Sequence, residues 1–113
     1  MPYLSRELEI RAAIVQYTQA KILWLDTEVA DFRTKKPRLS LIQILADATD
    51  RRGDQVTILD VLVYPDLVSE FRDKVMLNPE INKVFHNAQY DLKFLGKKQM
   101  EEEVKTITIV ISI

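Results

Sequence analysis

The sequence predicts an α/β fold: a mixed sheet of about five strands, three in an antiparallel meander and the rest parallel, flanked by helices within one domain spanning residues 1–113. Segments with helical periodicity alternate with short apolar runs of strand length, the pattern that builds helices onto a sheet. Three strand-like runs follow one another with short connections, which favours antiparallel pairing. No Pro/Gly/Ser-rich linker, internal repeat or low-complexity stretch divides the chain.

The elements follow in order. "SRELEIRAAIVQYTQ" (5–19) opens on a capping-type Ser5 and sets Glu7 and Glu9 near the positive end of a helix dipole. It repeats apolar residues at Ile10, Ala13, Ile14 and Tyr17, so a helix is predicted. "KILWLDTE" (21–28) is a continuous apolar run with β-branched Ile22 and aromatic Trp24, which predicts a central strand buried on both faces with Trp24 in the core. "VADFRTKKP" (29–37) reads as a polar, basic loop closed by Pro37, and "RLSLIQILA" (38–46) as the second strand. "DRRGD" (50–54) is a turn, and "QVTILDVLV" (55–63) the third strand. "PDLVSEFRDKVML" (65–77) spaces Leu67, Val68, Phe71, Val75 and Met76 helically behind Pro65, and Asn78–Pro79 breaks it. "NKVFHN" (82–87) is a short buried strand, Asn87 caps a helix "AQYDLKFLGKKQ" (88–99), and "VKTITIVISI" (104–113) is the fifth strand.

Composition narrows the chemistry. The chain has no cysteine and one histidine, His86, which excludes disulfides, thiolate zinc sites and His-rich metal sites and leaves carboxylates as the ligand class. A net charge of −1 gives no global field for nucleic acid, so such a partner would have to be met locally or through bound cations. The N-terminal "MPYLSRELEI" carries charges where a signal peptide needs an apolar core, and no run reaches the roughly 18 apolar residues of a membrane span, so a cytoplasmic protein without a membrane partner is expected.

Two motifs then stand out. In a strand, residues i and i+2 share a face about 7 Å apart, so Asp26 and Glu28 converge on one side of a run that is otherwise apolar. Such a pair suits two hard cations, Mg²⁺ or Mn²⁺, that activate a water and stabilise the leaving oxygen of a phosphodiester; in solvent it could equally be a plain pair of surface acids. In "VFHNAQYDLKFL", a short strand delivers His86 and Asn87 to its carboxyl end and the next helix carries Asp91 in its first turns. Asp91 reaches the Asp26/Glu28 face if the two strands are parallel neighbours; alone, it is an ordinary helix N-terminal acid.

Together, "WLDTEVADFRTKKPRLSLIQI" and "VFHNAQYDLKFL" resemble the first two motifs of the ribonuclease D-like branch of the DEDD 3'-5' exonucleases, including the "RLSLIQ" strand after the D-x-E. The resemblance runs from about Ser5 to Gly96. It implies a ribonuclease H-like fold and two-metal hydrolysis of terminal phosphodiesters of RNA or single-stranded DNA, releasing nucleoside monophosphates. Asp26, Glu28 and Asp91 would be the metal ligands and catalytic residues, with Asp26 bridging. By the same resemblance Thr27, Val29, His86 and Asn87 would lie at the substrate, with Tyr90 shaping the second motif.

The family's fourth carboxylate, on a later helix with a Tyr or His shortly before it, has no match. After Asp91 the chain has no Asp, Tyr or His, and its only acids there are Glu101, Glu102 and Glu103. The expectation is a domain that is partial at its C-terminal side, truncated before the third motif. "TITIVISI" alternates Ile107, Ile109, Ile111 and Ile113 with Thr106, Thr108, Val110 and Ser112, an uncharged strand whose edge a homodimer could also hide. Three readings stay open: the exonuclease domain, a catalytically silent nucleic-acid-binding or interaction module, and a non-functional fragment of marginal stability. Among the remaining residues, Arg33, Lys35, Lys36 and Arg38 form a basic stretch that either meets phosphates or simply keeps the loop soluble, Arg38 being the one assigned to substrate. Asp60 is expected to cap a turn, His86 to be structural, and Gln43 to support the site from the neighbouring strand.

Overall fold

The computed structural model describes residues 2–30, 38–46 and 56–85. Its elements are β1 (Tyr3–Leu4), α1 (Glu7–Tyr17), β2 (Ile22–Ala30), β3 (Arg38–Leu45), β4 (Thr57–Asp60), α2 (Pro65–Phe71) and β5 (Asn82–Phe85), with a π-helical turn, Arg72–Met76, continuing α2. They form one sheet in the order β1-β4-β3-β2-β5. β2 pairs antiparallel with β3, and β3 with β4, so the predicted meander is present. β5 runs parallel to β2 on its other side, from Ile22 opposite Asn82 to Leu25 opposite Phe85. β2 lies inside the sheet but next to its edge strand, the middle position being held by β3, and its parallel neighbour β5 meets the condition set for the Asp91 motif.

Differences from the sequence reading have local causes. β1, absent from that reading, is two residues long and parallel to β4, too short to carry a pattern of its own. Ser5 does not cap α1; the N-cap is Arg6, and its side chain makes no capping hydrogen bond. β2 runs two residues further than expected, through Val29 and Ala30, because β3 stays paired with it up to Ala30 opposite Arg38. The third strand is shorter than "QVTILDVLV": after Asp60 the chain turns, with the Leu62 amide donating to Asp60 Oδ1 at 3.4 Å, so Asp60 caps a turn as expected. Asp60 also accepts the Tyr3 hydroxyl at 2.5 Å, which ties β1 to β4. The predicted turn at 50–54, helix at 88–99 and strand at 104–113 lie outside the described residues.

β2 is buried on one face, not two. Leu23, Leu25 and Thr27 are buried, Asp26 and Glu28 are exposed, and Trp24 is half-buried. The buried face meets α1 through Ile10, Ala13, Ile14 and Tyr17 and α2 through Leu67 and Phe71, with Val75 and Met76 from the π-helical turn. In that turn the Leu77 amide reaches the Arg72 carbonyl at 2.9 Å, one residue beyond α-helical spacing. Outside the core, Arg11 links Glu7 at 2.6 Å and Glu70 at 3.0 Å, joining α1 to α2 in a partly solvated network.

Among the described residues one charged side chain lies in this core. Lys83 on β5 pairs in register with Leu23 and is fully buried, its ammonium donating to the Asn78 carbonyl in the turn before the strand. Burial disfavours the charged form and lowers the Lys83 pKa from 10.5 to about 8. Between those pH values the unfolded chain binds the proton and the folded chain does not, so stability rises as pH climbs through the window. The gain is on the order of 2 kcal/mol. Tyr17, whose phenol burial pushes upward, acts with opposite sign near and above its ordinary value of 10. The Lys83 contribution is therefore read as the difference between the wild type and Lys83→Met in urea melts from pH 7.5 to 10.5: the Met variant should lack the rise.

Candidate active site

Direct opposition in an antiparallel pair places two side chains on the same face. Asp26 stands opposite Gln43, and Glu28 opposite Leu41. Both acids therefore face away from α1 and α2, together with Trp24, Leu41 and Gln43. Between Glu28 and Val29 the register shifts: Glu28 pairs with Leu41 but Val29 with Leu39, leaving Ser40 as the extra residue of a β-bulge. A bulge bends its strand and re-aims the side chains beside it. Here it follows the second acid directly and returns Leu39 to the core, where it is buried. The next pair, Ala30 and Arg38, then falls on the acid-bearing face, so Arg38 shares it with Glu28.

The Asp26 carboxylate is held by its own strand: its Oδ1 accepts the Thr27 amide at 3.0 Å. Neither Asp26 nor Glu28 is ion-paired among the described residues. Beside Asp26 an open cleft of about 170 Å³ is lined by Trp24, Leu25, Asp26, Gln43, Ile44, Leu45 and Val56. Trp24 belongs to this cleft and not to the core. Its spacing from Asp26 and Glu28, i, i+2 and i+4, is the sequence signal that places it there.

The structure thus brings Asp26, Glu28 and Arg38 onto one face of the sheet. Thr27 is buried on the opposite face, and Val29 packs against the core, so these two offer the acid-bearing side only their backbone. Asp91, His86 and Asn87 lie outside the described residues, as do Tyr90 and the cations Arg33, Lys35 and Lys36. β5 ends at Phe85, beside Leu25 and one residue before Asp26, so the segment carrying those motif residues starts at the acid-bearing end of β2. The signals missed in the sequence were the bulge, which is a property of pairing, and the full length of β2.

Two carboxylates on an exposed face, without a cationic partner among the described residues, are hard oxygen donors of the kind Mg²⁺ and Mn²⁺ take, and such ions are commonly held by one or two protein carboxylates plus water and phosphate oxygens. Among the described residues no group of three His, Cys, Asp or Glu gathers. The pair fits part of a divalent-cation site, and Asp26 and Glu28 are the residues that would hold it.

A sequence profile of a 3'-5' exonuclease domain matches residues 3–112. The chain belongs to the 3'-5' exonuclease family. This is a family of divalent-metal-dependent enzymes, and the ribonuclease D type is the branch it resembles. Ribonuclease D of Shewanella sp. (strain ANA-3) is 35% identical over 91 residues, which are 80% of this chain and 21% of that protein. Among solved structures, Trypanosoma brucei RNase D in complex with RNA U12 superposes with a TM-score of 0.61 at 26% identity, over 83% of this chain and 32% of that one. The Aedes aegypti Nibbler EXO domain gives a TM-score of 0.62 over 97% of this chain and 47% of that one; at 15% identity it shares the fold. The chain therefore spans about a fifth of the length of the curated relative and a third to a half of these structures. The ribonuclease H-like α/β fold of the exonuclease domain agrees with the mixed five-stranded sheet.

Proposed function

We propose that this 3'-5' exonuclease domain hydrolyses the terminal phosphodiester of RNA 3' ends, releasing nucleoside monophosphates, with Asp26 and Glu28 holding divalent cations. The observation that carries this reading is the placement of both acids on one exposed face of β2, where the parallel strand β5 ends beside them. RNA is the substrate class because the Trypanosoma relative is an RNase D that binds RNA U12. A pair of divalent ions would lower the pKa of the attacking water and neutralise charge on the departing 3' oxygen. Asp26 and Glu28 hold that site open towards solvent, and the Thr27 amide fixes the rotamer of Asp26. Arg38 meets a phosphate on the same face, and the backbone of Thr27 and Val29 lies along the terminal nucleotide. Asp91 completes the ligand set.

A catalytically silent nucleic-acid-binding module is the second reading. One experiment separates them. The purified chain is incubated with a single-stranded RNA and the same DNA sequence, each 3'-labelled, in Mn²⁺, with a parallel sample in excess chelator. Stepwise loss of the 3' nucleotide from RNA that stops on chelation supports the exonuclease. RNA binding in Mn²⁺ without release overturns it in favour of the silent module. Release from DNA alone would overturn the choice of RNA.

A further inference from the structure

The face of β2 that carries Asp26 and Glu28 continues towards the start of the strand with Trp24, two residues before Asp26 and so about 7 Å from it. Trp24 pairs in register with Leu45 on β3 and Val84 on β5, and all three are half-buried. The open cleft beside Asp26 has this indole, Leu45 and Val56 as its apolar wall, and Asp26 is the one charged side chain among the described residues that line it. Asp26 therefore belongs to two places at once, the acid pair and the cleft. Alone it repels an anion; with a divalent cation on it, the same wall attracts a phosphate. The occupant that suits both halves is a nucleotide, its phosphate at the cation and the flat face of its base on the indole. Aromatic side chains take bases in this way whatever the sequence, because every base has a π-face.

We infer that Trp24 is the platform on which the base of the penultimate nucleotide of the RNA stacks. This rests on the proposed function, which lays the terminal nucleotide along Thr27 and Val29, on the Glu28 side of Asp26. Trp24 stands on the other side of Asp26, where the nucleotide across the scissile phosphate lies. That nucleotide carries the departing 3' oxygen, so a stacked base fixes the sugar from which the terminal residue leaves. Trp24 is a binding residue here and takes no part in holding the cation.

Trp24 is the only tryptophan of the chain, so its emission reports this place alone. In the test, the full 113-residue chain in Mn²⁺ is mixed with a 5'-labelled single-stranded RNA, and with the same RNA made abasic at its penultimate or at its terminal position. Tryptophan emission and label anisotropy are read together, before any nucleotide is released. The intact and the terminal-abasic RNA should quench Trp24. The penultimate-abasic RNA should leave the emission unchanged and bind about 5- to 150-fold more weakly, the usual worth of one stacked base. Trp24→Leu should weaken binding of the intact RNA by a similar factor and Trp24→Phe by less, and neither should alter the dissociation constant for Mn²⁺ alone, measured by calorimetry. The comparison of RNAs is made on the wild type, so it stands whether or not a variant folds. If the penultimate-abasic RNA binds and quenches as the intact RNA does, or if the loss follows the terminal base instead, the inference is overturned while RNA binding at the acids stands. Quenching that persists in excess chelator would overturn it too, since the base would then be held without the phosphate that places it. If the intact RNA does not bind in Mn²⁺ at all, the underlying reading fails and the inference with it.

Discussion

Replacing Asp26 with asparagine is expected to slow Mn²⁺-dependent release of the RNA 3' nucleotide by at least about 10³-fold, because stabilisation of transition-state charge by bound metal amounts to several kcal/mol. Asparagine keeps the volume and a carbonyl oxygen but loses the charge that holds a hard cation. The fold should not register the change. Asp26 is exposed and takes no part in the core, so the unfolding free energy should stay within about 0.5 kcal/mol of the wild type. Glu28→Gln should give a loss of the same kind but smaller, since Glu28 lacks the Thr27 hydrogen bond that preorganises Asp26. The double substitution should be scarcely worse than Asp26→Asn alone, as is usual for residues acting as one unit. Single-turnover rates on 3'-labelled RNA, with urea melts alongside, measure all three. Near-wild-type release by Asp26→Asn would remove β2 from the chemistry altogether.

What could be read in advance depended on the range over which each signal acts. Ile10, Ala13, Ile14 and Tyr17 encode α1 by spacing alone, and all four are buried. The D-x-E pair was equally local: two residues on one strand share a face whatever the neighbours do. Pro65 and the Asn78–Pro79 break place α2 and β5 to within a few residues. The misreadings arose where pairing decides. An apolar run cannot reveal that one of its faces stays uncovered, so "ILWL" looked like a strand buried on both sides although Trp24 faces the cleft. The bulge at Ser40 is invisible in β3 taken alone, because its cause is the mismatch of two strands. Nothing in "NKVF" taken alone marks Lys83 as buried. Its burial follows from the parallel pairing that turns it towards the helices along with Leu23, and from a backbone carbonyl at Asn78 within reach of its ammonium.

Phe71→Ala should be the most damaging single change to the fold, at about 3–5 kcal/mol. Phe71 is fully buried at the last turn of α2, where the helix passes into its π-helical continuation, and it belongs to the core that covers the inner face of β2. A domain of this size has about 5–15 kcal/mol in all, and the loss should lower its melting temperature by about 15 °C. Val63→Ala is the control: at 71% exposure it should move stability by less than about 0.5 kcal/mol. The site and the core are coupled through β2, since Leu25 and Thr27 anchor inward the strand that turns Asp26 and Glu28 outward. A cation that binds only the folded chain stabilises it by mass action, by about 2.7 kcal/mol when present at a hundred times its dissociation constant. Saturating Mn²⁺ should therefore recover most of what Phe71→Ala loses, and recover none of it in Phe71→Ala/Asp26→Asn. Recovery in the double variant would place the cation elsewhere in the chain; its absence in the single variant would mean that Asp26 and Glu28 need further ligands before they hold a metal at all.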